Sequence, residues 1–278
     1  MRATVTPAPL RTGKRRLLTS CAVAAGMMAL ACGGPALAQV AGTGTFTTGG
    51  GTANGGGGTT TTTTVTQLQN VIDWVPTDPL PTGGDINLLP AGSTWNFVGT
   101  GDYTVLNRFV NSGGGSLSRQ IALNGTVNSY VGSTTGPRGG NIWFYNAGGI
   151  LIGATGVINV GSLVLTTNNV STSGTTISFN GTTDSTSAIT VNGAINANKV
   201  GNPGGSYVAL VAPRIVQAGA VRVDGSAAYV AAEQVDIRIN SGLFDINVIR
   251  GAVGGNAITH TGTTTGPGHQ DGDTDQNR

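Results

Sequence analysis

From residue 65 to about residue 249 the chain alternates short apolar runs with clusters of turn-forming residues, a rhythm that predicts strands rather than helices. The runs at residues 105–110, 142–145, 150–152, 163–165, 207–211, 235–239 and 244–249 are β-rich and too short for helices. Residues 227–235 are the one stretch with helical character, and the flanking Gly225 and the Val/Ile alternation that follows favour a strand there too.

A small unit recurs along this region. It reads Gly125-Thr126-Val127-Asn128, then Gly156-Val157-Ile158-Asn159, Gly193-Ala194-Ile195-Asn196 and Gly219-Ala220-Val221-Arg222, at spacings of 31, 37 and 26 residues. A larger echo sets Gly139-Gly140-Asn141-Ile142-Trp143-Phe144 against Gly204-Gly205-Ser206-Tyr207-Val208-Ala209, and Ile150 against Ile215, each 65 residues apart. Imperfect repeats of short strands predict a solenoid whose coils stack on one another. The expected fold is all-β: a right-handed parallel β-helix with N-terminal capping strands, in which Val, Ile and Leu stack in ladders and Gly and Asn serve the corners, where positive φ is cheap. A β-sandwich, with cleaner alternation and more regular turn spacing, is the alternative.

Composition fits this picture. Gly 47, Thr 40 and Asn 22 make up 109 of 278 residues, and all three are poor in helix interiors. The glycines have no three-residue period, which excludes collagen. The formal charge of +2 is misleading, because Arg2, Arg11, Lys14, Arg15 and Arg16 precede an apolar stretch at residues 17–31 that ends in Ala36-Leu37-Ala38. That order of basic, apolar and small residues predicts a secretory signal peptide over residues 1–38, cleaved after Ala38 to leave Gln39 first. The remainder then has nine basic and twelve acidic residues, or −3 by subtraction, which removes electrostatic support for nucleic-acid binding. Both cysteines, Cys21 and Cys32, fall inside the predicted signal, so the exported chain is expected to have no disulfide. Residues 39–64 are expected to be a Gly/Thr-rich flexible leader, residues 65–250 the β-helix, and residues 251–278 a polar tail.

Three stretches carry a family resemblance: Leu106-Asn107-Arg108; Ser118-Arg119-Gln120-Ile121-Ala122-Leu123-Asn124-Gly125; and Trp143-Phe144-Tyr145-Asn146-Ala147-Gly148-Gly149-Ile150-Leu151-Ile152-Gly153. They resemble the two-partner secretion domain of filamentous haemagglutinin type proteins. At the family's N-P-N-G-I signature, Asn146, Gly149 and Ile150 match, while Ala147 and Gly148 replace Pro and the second Asn. A second family element, N-P-N-L, is not visible. The resemblance spans roughly residues 65–250 and implies a β-helical, non-enzymatic exoprotein of a Gram-negative bacterium. It implies passage through the periplasm, export by a dedicated outer-membrane transporter, and adhesion or cell-surface association. Asn146, Ala147, Gly148, Gly149 and Ile150 become the secretion motif, with Asn107, Arg108 and Arg119 as candidate transporter contacts. Host or surface glycans and proteins are the other partners considered. A monomer without metal or cofactor is expected.

Two other classes compete: a β-helical polysaccharide hydrolase or lyase, and a passive biofilm or matrix protein. An enzyme needs paired carboxylates, and the candidates are Asp184, Asp224, Asp236 and Asp245, beside Glu233, the only glutamate. Solvated or turn-capping acids account for them more simply. His260 and His269 fall in the Gly/Thr tail, and Asp271, Asp273 and Asp275 imitate the start of a calcium loop without its Gly and distal Glu. Trp143, Phe144 and Tyr145 are consecutive, so alternate rings face opposite sides of a strand; one side fills the coil, and for the other core or cap packing is the preferred expectation over a surface position open to glycan stacking or transporter contact.

Overall fold

A computed structural model of the chain describes residues 39–77, 83–202, 204–255 and 257–266. Ala36 and Ala38 of the expected cleavage site, His269, and Asp271, Asp273 and Asp275 lie outside the described residues. The described residues form strands joined by turns, with no helix. Three sheets wind into a right-handed parallel β-helix, the hand that parallel crossovers adopt. The first face stacks Gln69–Pro76, Thr104–Phe109, Asn141–Tyr145, Ser162–Thr166, Ser206–Ala212 and the start of Gly225–Asn240. The second stacks Ile86–Leu89, Ile121–Leu123, Ile150–Ile152, Ala188–Val191, Arg214–Gln217 and Ile258–His260. The third runs Thr60–Val65, Thr94–Gly99, Thr126–Val131, Val157–Val160, Ala194–Ala197, Ala220–Val223 and Thr263–Thr265.

The recurring Gly-x-x-Asn unit is the third face seen once per coil. Ile158 pairs in register with Val127 and Ile195, and Asn159 with Asn128 and Asn196. The spacing of 37 residues between Gly156 and Gly193 is long because a hairpin, Asn169–Ser173 and Thr176–Asn180, is inserted into that coil. On the second face one position is isoleucine in every coil: Ile86, Ile121, Ile150, Ile189, Ile215 and Ile258 stack in register. No single coil buries these side chains, and burial comes from the neighbours above and below. Toward the N-terminal end the interior is filled by rings, with Trp95 packed 4.8 Å from Trp74, 4.8 Å from Phe97 and 5.6 Å from Phe144.

Asparagine forms a ladder of its own on the third face. The Nδ2 of Asn128 donates to Asn96 Oδ1 at 3.0 Å, Asn159 to Asn128 at 3.1 Å and Asn196 to Asn159 at 2.9 Å. Asn159 therefore makes two rungs and Asn196 one. We expect Asn159→Ala to cost about 1–2 kcal/mol and Asn196→Ala about half as much, checked by urea midpoints; equal effects would dismiss the ladder as a source of stability.

Two sequence expectations need correction. Residues 39–64 are not a flexible leader in this structure. Gly42–Thr48 pairs antiparallel with Gln69–Pro76, Gly51–Gly57 pairs antiparallel with Thr60–Val65, and together they cap the N-terminal end. Composition misled because strand pairing needs only backbone groups, and alternation within the threonine run turns Thr61, Thr63 and Val65 inward, where they are buried. Trp95 Nε1 donates to Thr63 Oγ1 at 2.9 Å, giving the tract a polar anchor in the core. Likewise the polar tail begins later than residue 251, because Ile258–His260 and Thr263–Thr265 add two more strands to the stack.

For Trp143, Phe144 and Tyr145 the structure shows the preferred expectation, packing in a core. Phe144 points into the coil, and Trp143 and Tyr145, on the opposite side, are buried as well. An outer antiparallel sheet covers them. It consists of the inserted hairpin, the distal half of Gly225–Asn240 and the strand Leu243–Gly251. Its Ile177, Phe179, Val235 and Ile237 close a second apolar core against Trp143, Val164, Tyr207 and Val211. Gly225–Asn240 serves both layers, and bulges between Ala232 and Val235 mark where it leaves the first face. There Glu233 is fully buried, with Arg250 Nε 2.6 Å from its carboxylate and the Asp184 amide donating to it at 2.7 Å.

Candidate functional site

The turn from Asn146 to Ile150 carries the chain from the first face to the second. Asn146 is buried and binds three successive coils. Its Nδ2 donates to Arg119 O of the preceding coil at 2.9 Å and to Gly149 O of its own turn at 2.6 Å. Its backbone N–H donates to Thr166 O of the next coil at 3.1 Å, and Gly149 N–H closes the turn on Asn146 O at 3.1 Å. Asn146 is not among the residues with positive φ; the left-handed position is Gly149, at φ 112°. Asn146 therefore serves the turn through its amide group rather than by tolerating a left-handed backbone.

Each remaining member of the motif has a definite place. A Cβ on Gly148 would sit 2.3 Å from Arg119 O, so close coil packing rather than chain reversal requires glycine there. Ala147 is half-buried against the second core, and its carbonyl accepts from Ser187 Oγ at 2.6 Å. Ile150 is fully buried in the isoleucine ladder. The turn is thus held from within, and its outward surface is small.

The residues singled out as transporter contacts are separated. Asn107 is fully buried, accepting from Trp74 Nε1 at 2.9 Å and donating to Trp143 O at 3.2 Å. In the folded domain it has no surface to offer a partner, so that expectation is corrected: a polar residue in an apolar run here satisfies an indole. Arg108 points outward and forks onto Asp73 at 2.6 and 2.9 Å. Arg119 donates to the carbonyls of Gly83 and Gly84, both at 3.0 Å. Both arginines remain partly exposed while serving contacts between coils.

Beside the inserted hairpin, part of the first face is left uncovered as a cleft of about 870 Å³, lined among others by Leu106, Trp143, Asn141, Lys199 and Ile177. Lys199 pairs with Asp102 at 2.9 Å and lies 5.8 Å over the Tyr207 ring. Burial pushes the Tyr207 phenol well above its ordinary pKa, so it stays protonated and accepts from Trp143 Nε1 at 3.1 Å. Sequence reasoning missed this cleft because the hairpin that walls it has a single apolar residue, Val170, in its first strand. The candidate acids are engaged elsewhere: Asp236 with Ser178 Oγ at 2.6 Å, Asp245 with Arg238 at 3.7 Å, and Asp224 with the Gly204 amide at 3.3 Å. His260 is exposed and hydrogen-bonds Thr264 Oγ1 at 2.9 Å. Among the described residues no cluster of three His, Cys, Asp or Glu gathers to hold a metal.

No protein-family model matches the chain, and no curated protein sequence does either. Among solved structures, it matches the crystal structure of the HMW1 secretion domain from Haemophilus influenzae, with a TM-score of 0.56 and 19% identity over 77% of this chain. The match spans 50% of that domain's length. The stacked coils described above are therefore those of a known architecture, and the chain has the β-helical fold of the HMW1 secretion domain.

Proposed function

We propose that this chain is the export module of a two-partner secreted exoprotein, recognised by a dedicated outer-membrane transporter and serving adhesion or association with the cell surface. The observation that carries the proposal is the turn from Asn146 to Ile150. It matches three of the five residues of a secretion signature and sits in a β-helix with the fold of a secretion domain. The physical design suits the task. Without a cysteine beyond the N-terminal segment, the chain is free to be threaded unfolded. Its coils then re-form one on another, each templated by its neighbour. The expected route runs through the periplasm, with removal of residues 1–38, to the surface or the medium.

The test is export of a tagged chain from cells with and without the cognate transporter, with periplasm, surface and medium read separately. Release that requires the transporter is expected. Release unchanged by its deletion, or retention in the periplasm when it is present, would overturn the proposal.

A further inference from the structure

We propose that the cleft beside the inserted hairpin is a slot for one more β-strand, into which the folded chain takes an extended, uncharged segment of a partner protein. The outer sheet ends at Asn169–Ser173, which pairs with Thr176–Asn180 on one edge and has no strand on the other among the described residues. The hairpin turns through two residues, Gly174 and Thr175, with Gly174 at φ 59°, so Ser173 and Thr176 form its closing hydrogen-bonded pair. Alternation along an antiparallel ladder then turns the backbone groups of Asn169 and Ser171 toward Thr176–Asn180, and those of Val170 and Thr172 toward the open edge. The N–H and C=O groups of Val170 and Thr172 meet no partner among the described residues. The strand has no charge, proline or bulge to blunt that edge.

The space beside the edge has an apolar floor. Val170 and Thr172 line the cleft, and below them Val71, Leu106 and Trp143 stand in register on three successive coils. The outer sheet covers the Trp143 end of this ladder, whereas Val71, at the far end, is only half-buried. A strand added at the open edge extends the outer sheet by one member toward the N-terminal coils and lays alternate side chains on Val71 and Leu106.

The chemistry of the slot selects its occupant. An extended main chain repeats donor and acceptor at the interval of the free edge, so the backbone groups of Val170 and Thr172 call for a peptide strand rather than a glycan. The charged residues lining the cleft are Asp102, Arg108 and Lys199, and both cations are already held, Arg108 by Asp73 and Lys199 by Asp102. A charged side chain turned toward the floor would be buried without a partner, so the inward residues of the strand must be uncharged. The strands of the floor each have neighbours on both sides: Gln69–Pro76 lies between Gly42–Thr48 and Thr104–Phe109, and Asn141–Tyr145 between Thr104–Phe109 and Ser162–Thr166. The slot therefore opens on the flank of the helix, and a coil stacked on either end leaves it free. Because it needs the folded outer sheet, this binding does not depend on how the chain is exported.

The test is calorimetric titration of the folded full chain with a capped peptide that alternates threonine and valine, with hydrogen exchange read at Val170 and Thr172. Both amides are expected to exchange rapidly in the chain alone and to become protected when the peptide binds. Thr172→Pro removes an outward N–H while sparing the pairing with Thr176–Asn180. It should weaken binding by at least about tenfold and leave the β-sheet circular dichroism unchanged. Protection of both amides in the chain alone would show the edge filled from within and overturn the proposal. Absence of binding at millimolar peptide, binding without protection at these two amides, or equal binding by Thr172→Pro would overturn it as well.

Discussion

Replacing Ile150 with aspartate is expected to remove most or all of the stability of the β-helix. The side chain is fully buried and lies in register between Ile121 and Ile189, with apolar rungs above and below. Its side chain lies in the apolar interior of the coil, where the neighbouring Ile121 and Ile189 offer a new carboxylate no hydrogen-bond donor. An unpaired carboxyl there loses the transfer energy of the isoleucine and adds the desolvation of a polar group, several kcal/mol in sum. Whole domains are stable by only about 5–15 kcal/mol. Ile150→Val keeps the apolar contact and should cost about 1 kcal/mol. Urea unfolding of both variants makes the comparison. An aspartate variant with a midpoint near that of the valine variant would mean the side chain does not sit in the ladder. Export measured in parallel separates folding from recognition, since the valine variant should be exported normally.

The parts of this architecture legible in the sequence are those that repeat. Gly156, Gly193 and Gly219 announce the third face, and Ile150 and Ile215 announce the second, because stacked coils place like residues in like environments. What lies outside the repeat left weak signals. The cap is made of glycine and threonine, whose contribution is mostly backbone pairing, so its composition is that of a linker. The outer sheet is assembled from segments far apart in sequence: Ile177 meets Ile237 and Val235 meets Val248. No local pattern encodes that meeting. For this reason the sequence alone does not say what covers Trp143 and Tyr145, which the outer sheet buries. The turn at Asn146 was visible as a motif, but its chemistry was not. Which coil its amide would grip depends on Arg119 O and Thr166 O, positions fixed only once the coils stack. Asn107 shows the same limit, since its partners Trp74 and Trp143 belong to the coils on either side.

Gly193→Ala should be strongly destabilising even though a single methyl is added at a glycine with no positive φ. Corner glycines were expected to serve left-handed turns, and at these positions the structure gives a different reason. A Cβ on Gly193 would lie 2.2 Å from Gly156 O and 2.5 Å from Gly153 O, and one on Gly219 would lie 2.0 Å from Gly193 O. These obstacles are backbone atoms with duties of their own: Gly156 O accepts from Ala194 N–H at 2.9 Å and Gly193 O from Ala220 N–H at 3.0 Å. Relieving the clash means separating two coils at the corner and stretching the bonds that join them. The expected loss is about 2–4 kcal/mol, at or above the usual range for overpacking. It outweighs the roughly 0.4–1 kcal/mol that Gly-to-Ala substitution otherwise gains by restricting the unfolded chain. Gly57→Ala is the control. A Cβ there meets nothing within 4 Å and the backbone is not left-handed, so stability should stay level or rise. If urea midpoints instead fall equally for both variants, the corner contacts are not what demands glycine. If only Gly193→Ala falls, the spacing of glycines along this sequence records how closely its coils are stacked.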